Sequence, residues 1–196
     1  MLLLPIEPVQ ILWINLVAAV ALALPLAFEA KEADVMRRPP RDPRAPVLSR
    51  FVIWRTLVAA LLMTAGAVGV FVWEYGQYVQ AGEAPGLALA EAQTMAVTTV
   101  IMFQIFYLLN SRSLRDPVLR IGLGSNPAVY VGIATVLLAQ AAFVYLPPLQ
   151  AVFGSAALEW DDLVVAALVG LCITPVVVLE KWLMRRAASR RAEAAR

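Results

Sequence analysis

Two side-chain amides, Asn15 and Gln104, lie inside long apolar stretches and are candidate cation ligands. The oxygen of each amide can offer a lone pair to an ion, and it can equally accept a hydrogen bond from a neighbouring helix. Neither group is charged, so the pair could coordinate a cation only together with carboxylates from elsewhere. The residue types alone leave both interpretations open.

The composition excludes several other chemistries. The chain has no His and a single Cys, Cys172. It therefore has no material for a zinc site, a haem ligand set or an intramolecular disulfide. Without His, Ser-His-Asp and Cys-His mechanisms are excluded as well. We predict no catalytic residue.

The elements that position these groups are predicted to be membrane helices. Hydrophobic residues make up 61% of the 196 positions and charged residues 15%, with a mean hydropathy of +0.76. Soluble domains contain roughly 45–50% hydrophobic and about 25% charged residues. Five stretches are long enough for a bilayer core of about 30 Å: residues 8–28, 51–72, 91–110, 127–146 and 161–183. We expect an all-α membrane protein in which residues 1–196 form a single domain, a bundle of five transmembrane helices, with Pro25 and Pro175 kinking theirs.

The basic residues predict the orientation. All sixteen Lys and Arg residues fall within positions 31–55, 112–120 and 181–196. Because cytoplasmic loops collect Lys and Arg, we expect the N-terminus outside, a cytoplasmic loop at 29–50 and a cytoplasmic C-terminus. No basic residue precedes the first span to help it translocate, so Met1 is expected to lie within a longer chain, after an earlier span. The bilayer is the expected partner, and nucleic acid is not.

Several stretches of the sequence resemble those of a known protein family. Residues 8–17 (PVQILWINLV) and 34–49 (DVMRRPPRDPRAPVLS) closely resemble the sixth membrane helix and the following cytoplasmic loop of P-type cation-transporting ATPases of the calcium-pump and sodium-pump group. Residues 95–104 (MAVTTVIMFQ) and 109–113 (LNSRS) resemble the eighth helix of that family and its exit, and 145–149 (YLPPL) resembles the loop after the ninth. The resemblance implies that the five spans are the sixth to tenth of a ten-span pump.

The resemblance also implies a division of labour. The pump couples ATP hydrolysis to cation movement through phosphorylation, nucleotide and actuator domains in its N-terminal half, which would be the partner of this chain in the cell membrane. ATP and Mg²⁺ are implied for the full-length pump, but no cofactor is expected in this chain. It has no Asp-Lys-Thr-Gly motif and no P-loop, so alone it is not expected to hydrolyse ATP.

The loop after the first span has a coupling role by resemblance. It would lie beneath the phosphorylation domain and relay its movement to the membrane helices. The same basic residues would suit a juxtamembrane anchor for anionic lipid, and the two roles are compatible. The candidate coupling residues are Arg37, Arg38, Pro39, Pro40 and Arg41.

Two departures from the family pattern leave the ion unknown. Calcium pumps that resemble this sequence carry Thr-Asp directly after Asn-Leu-Val, where this chain has Ala18 and Ala19. The position at which such pumps often place Glu is Gln104 here. Ca²⁺ prefers roughly six to eight oxygen ligands, several of them carboxylate, so we do not expect a standard two-calcium site, and Asn15 is the ligand-type residue retained. A non-catalytic scaffold or degenerate remnant that associates with another membrane protein is the alternative.

A topology experiment tests the charge argument. A reporter fused after Arg196 is expected to read cytoplasmic, because the tail carries six of the basic residues (181–196). Engineered cysteines at positions 49 and 111 are expected to react from that same side. A periplasmic or luminal reporter signal, or labelling of Ser49 and Ser111 positions from opposite sides, would refute the orientation.

Overall fold

The computed structural model describes residues 3–29, 50–82, 84–112 and 126–194. The predicted coupling residues, Arg37 to Arg41, lie outside the described residues. The first helical stretch contains α1 (Pro8–Val17), a π-helical turn (Ala18–Ala23) and a 3-10 turn (Leu24–Phe28). The remaining helices are α2 (Arg50–Gln80), α3 (Pro85–Ser111), α4 (Pro127–Tyr145), α5 (Pro147–Phe153), α6 (Trp160–Leu171) and α7 (Ile173–Ala194).

Five helical stretches within the described residues are long and apolar enough to cross a membrane. We call them the first to fifth spans: Pro8–Phe28, Val52–Gln80, Pro85–Ser111, Pro127–Tyr145 and Trp160–Leu183. No strand occurs among the described residues. The prediction of an all-α, five-span membrane protein is therefore confirmed.

Two of the predicted spans were shorter than the helices in the structure. The second span continues past Val72 to Gln80, and the third begins at Pro85 rather than at Glu91. Polar residues such as Glu74 lower the local hydropathy, although nothing there stops a helix. The chain turns at Gly82, whose φ of +82° suits glycine, and Pro85 opens the third span because the first helical turn needs no N–H donor there.

The third span lies at the centre of the bundle. In its most apolar window 72% of the residues are buried, against 17–33% in the other four spans. Two glycines of neighbouring spans let it pack closely. An added Cβ would stand 2.5 Å from Phe103 Cε2 at Gly66 and 2.7 Å from Met102 Cβ at Gly170. The third span is thus held between the second and the fifth.

Ala65 and Gly69, two small residues of the second span, lie outside its contact with the third span. Their spacing of four residues is typical of a close helix contact. Both are exposed, and Gly66 makes the contact instead. The packed face is therefore rotated away from the pair that the spacing favoured.

The first span changes its winding around Pro25. This residue has no N–H group, so it cannot donate the hydrogen bond that Ala21 would accept in an α-helix. The turn Ala18–Ala23 is wound more loosely and Leu24–Phe28 more tightly than an α-helix. The fourth span approaches so closely that a Cβ at Gly132 would overlap the Ala21 carbonyl oxygen.

The fifth span is also interrupted close to a proline. Helix α6 ends at Leu171, and the Cys172 N–H bonds to the Val169 carbonyl at 3.1 Å, three residues back. Pro175 cannot donate to Leu171, the residue at which the helix breaks. Both prolines expected to disturb a helix therefore lie next to a change in winding.

The contact at Gly132 gives a stability prediction. Gly132→Ala is expected to lower the free energy of unfolding by about 1–3 kcal/mol, because the new methyl group meets a backbone oxygen that cannot rotate aside. Reversible unfolding in detergent micelles measures the change.

Gly69→Ala is the matched control. Among the described residues no atom lies within 4 Å of its added Cβ. This variant is expected to keep or gain stability, by up to about 1 kcal/mol, because Ala is the better helix former. Equal stability of the two variants would contradict the close approach of the first and fourth spans.

Candidate cation pathway

Asn15 faces away from the five-span bundle. Its neighbours Ile14 and Val17 are buried, whereas Leu16 is 62% exposed and Asn15 itself is exposed. The Asn15 side chain makes no hydrogen bond to any described residue. It lies one turn before the π-helical turn at Ala18–Ala23. Its amide is therefore open to whatever covers this face, and its assignment to an ion pathway stays a prediction.

Gln104 lies on the central span and is half-buried. Its Oε1 atom is buried, and no donor among the described residues reaches it. A buried amide oxygen without a donor is unfavourable by about 1–3 kcal/mol, so it marks a position where a partner is expected. No hydrogen bond joins Gln104 to Asn15, and its role in a pathway also stays a prediction.

Other polar side chains inside the spans are used to join helices. The Trp13 indole donates to Gln140 Oε1 at 3.2 Å, and Gln140 Nε2 donates to Thr98 Oγ1 at 2.9 Å. The Thr98 hydroxyl in turn donates to the Thr94 carbonyl at 2.8 Å. The network links the first, third and fourth spans, and the ring of Trp13 stacks on Phe143 with a centroid distance of 5.3 Å.

Glu74 is a buried charged residue that the sequence analysis did not place inside a helix. It is 3% exposed on the second span and lies in hydrogen-bonding reach of Tyr78 and Asp162. Its helical spacing to Tyr78, four residues on, was the available signal. Among the described residues no group of three or more His, Cys, Asp or Glu side chains could hold a metal ion.

Ion pairs lie at the end of the bundle opposite to Glu74, and we call this the basic end. Glu29 accepts from Arg112 Nη2 at 2.9 Å and from Arg112 Nε at 3.1 Å, a bidentate pair. Asn126 Nδ2 donates to the same carboxylate at 3.0 Å. These hydrogen bonds, those from Arg112 above all, hold the pKa of Glu29 below its ordinary value, although burial opposes them.

Two further contacts tie the fifth span to this end. Arg55 lies 3.6 Å from Glu180, and its guanidinium is 5.6 Å from the centre of the Tyr107 ring. Lys181 Nζ donates to the carbonyl of Asn110 at 2.6 Å, and Asn110 lies in the last turn of the third span. These pairs depend on the tertiary arrangement, and sequence spacing gave no signal for them.

The fold and the placement of polar groups define a multi-pass membrane protein with a central buried span. A family model described as "Cation transporting ATPase, C-terminus" matches residues 3–183. The chain belongs to this family of C-terminal membrane regions of P-type cation ATPases, which confirms the resemblance seen in the sequence.

Full-length pumps are among its relatives. "Probable cation-transporting ATPase F" of Mycobacterium tuberculosis is 40% identical over 182 residues, which are 93% of this chain and 19% of the relative. "Calcium-transporting ATPase 1" of Schizosaccharomyces pombe is 30% identical over 93% of this chain and 19% of the relative. "Calcium-transporting ATPase type 2C member 1" of Mus musculus is 32% identical over 90% of this chain and 18% of the relative. The chain thus spans about a fifth of the length of these relatives.

The Glu29–Arg112 pair makes stability depend on pH. Because the folded pKa of Glu29 is lowered, its contribution is fully present above the unfolded pKa, for which the ordinary value is 4.5, and is lost as the pH falls through the folded pKa. Glu29→Gln is expected to lower the free energy of unfolding near neutral pH by about 1.5–3 kcal/mol. It is also expected to flatten the acid limb of a pH–stability profile measured in detergent. An unchanged acid limb would contradict the pairing.

Proposed function

We propose that this chain is the C-terminal membrane part of an ATP-driven cation pump of the cell membrane, and that its five spans are the sixth to tenth of ten. The observation that carries the proposal is the family match over residues 3–183, together with five helices among the described residues that are long and apolar enough to cross a membrane. The names of the relatives support cation transport as the activity. The charge distribution supports an outside N-terminus and a cytoplasmic C-terminus.

The partner in this proposal is the N-terminal half of the pump. That half supplies the phosphorylation, nucleotide and actuator domains and binds ATP and Mg²⁺, while this chain supports the ion pathway. The exposed face around Asn15 suits such a partner, because a polar amide facing lipid is unfavourable unless another helix or an ion meets it. Residues 37–41 are the proposed coupling segment.

The cation must receive its charged ligands from the partner half. Asn15 and Gln104 offer neutral oxygens, and the family's Thr-Asp is replaced by Ala18 and Ala19. A monovalent ion, a proton, or a single divalent ion held mostly by other helices all agree with this ligand set. The Oε1 atom of Gln104 is buried and receives no hydrogen bond from the described residues. This supports a supplementary role for Gln104 in binding the cation.

The replacement at Ala18 and Ala19 also favours a second candidate function. A non-catalytic membrane scaffold would not need a carboxylate at this position. The two functions differ in one consequence, because only the pump requires the Asn15 amide for transport.

A chimeric pump tests the proposal. The matching segment of the Mycobacterium tuberculosis relative is replaced by this chain, and ATP-dependent cation uptake is measured in inverted membrane vesicles against a panel of ions. The chimera is expected to transport a cation. Asn15→Leu is expected to reduce uptake by tenfold or more, on the order of 1.4 kcal/mol of lost ion binding.

Thr135→Val is the matched control, because Thr135 is exposed on the fourth span and donates to its own helix at Val131. It is expected to retain full uptake. A chimera that inserts and hydrolyses ATP equally well with Asn15→Leu would refute the pathway role. A chimera that inserts but shows neither uptake nor ATP hydrolysis would favour the scaffold.

A further inference from the structure

Three residues meet where the first span ends: the half-buried Glu29 and the buried Arg112 and Asn126. Asn126 is 2% exposed, and the Arg112 side chain is fully buried in its ion pair with Glu29. They come from three different segments of the chain, after the first span, after the third span and before the fourth. We call them the basic-end latch.

Asn126 satisfies a carbonyl that the winding of the first span leaves open. In an α-helix the Glu29 N–H would donate to the Pro25 carbonyl, but here it donates to Leu26 at 3.2 Å. Asn126 Nδ2 donates to the Pro25 carbonyl instead, at 3.0 Å. Since a bilayer offers no water to an open carbonyl, this side chain allows the tight turn Leu24–Phe28 to persist.

Asn126 also couples this turn to the fourth span. Its Oδ1 accepts from the Ala128 N–H at 3.1 Å, which caps the helix that begins at Pro127. The same fourth span carries Gly132, which seats the Ala21 carbonyl. The irregular half of the first span is therefore held by the fourth span at two levels.

Arg112 couples the same turn to the central span. It directly follows Ser111, the last residue of α3, and grips both oxygens of Glu29. A bidentate arginine pair fixes direction as well as distance. The end of the first span is thus fixed to the most deeply buried helix of the bundle.

We propose that Glu29, Arg112 and Asn126 are positioning residues that set the winding of residues 18–28 and so the direction in which Asn15 points. An α-helix gains or loses about 100° of rotation for each residue inserted or removed, so rewinding the π-helical turn rotates the preceding helix relative to the anchored end. Glu29 is also where the chain enters the segment that contains the proposed coupling residues. In the proposed pump, a change in the latch would therefore change the direction of the Asn15 amide. This functional consequence rests on the proposed pump, whereas the control of winding does not.

Distance measurements between spin labels test the latch in the 196-residue chain. Labels at positions 16 and 138, in a Cys172→Ser background, face outward, since Leu16 is 62% and Leu138 73% exposed. In lipid nanodiscs the unmodified latch is expected to give one narrow distance distribution. Glu29→Gln and Arg112→Gln are each expected to add a second population displaced by about 5 Å or more, the scale of a rotation of one helical position.

Three further variants keep the test specific. Arg55→Gln removes another ion pair at the same end, with Glu180, and is expected to leave the distribution unchanged. The exchanged pair Glu29→Arg with Arg112→Glu is expected to restore the narrow distribution. Arg112→Lys keeps the positive charge but loses the bidentate guanidinium. It is expected to give a second population smaller than that of Arg112→Gln.

Each outcome bears on the proposal. An unchanged distribution in Glu29→Gln and Arg112→Gln, or an equal change in Arg55→Gln, would overturn the latch. A displaced population that the exchanged pair restores would support it. These distances require no ATP and no transport, so they can support the latch even if the chimeric pump fails, and can refute it even if the pump works.

Discussion

Backbone carbonyls in a bilayer have no water to bond, so each needs a donor from the protein. Pro25 removes one such donor in the first span, and the winding of the helix changes around it. The helix loosens over Ala18–Ala23 and tightens over Leu24–Phe28. Gly132 leaves room for the Ala21 carbonyl, and the Asn126 amide satisfies the carbonyl of Pro25 itself. Gly132 and Asn126 thus join the first and fourth spans at these two carbonyls.

This constraint has a consequence for the proposed ion pathway. The irregular winding begins one helical turn after Asn15, and the basic-end latch fixes the far end of the same stretch. By this proposal the chain contributes neutral oxygens and a defined helix geometry rather than charge. In the pump that we propose, carboxylates of the other half would therefore decide which cation binds.

Hydropathy and charge predicted the number and kind of elements, because a span must be apolar over its whole length. They did not predict packing. Gly66 and Gly69 are equivalent small residues in the sequence, yet only Gly66 meets Phe103. Apolar residues cover both sides of the first span, so nothing in the pattern shows that Ile14 faces the bundle and Asn15 faces away. The Glu29–Arg112 pair joins positions far apart in the chain, which only the tertiary structure brings together.

The central claim is that the Asn15 face of the first span is covered by the other half of a pump. Photo-crosslinking in the native membrane tests it directly, with a photoreactive residue at position 15 and a control at position 138, where Leu138 is 73% exposed. We expect position 15 to capture a protein segment outside these 196 residues, identified by mass spectrometry as a membrane helix bearing carboxylates, and position 138 to capture lipid. Capture of lipid alone at both positions would contradict it.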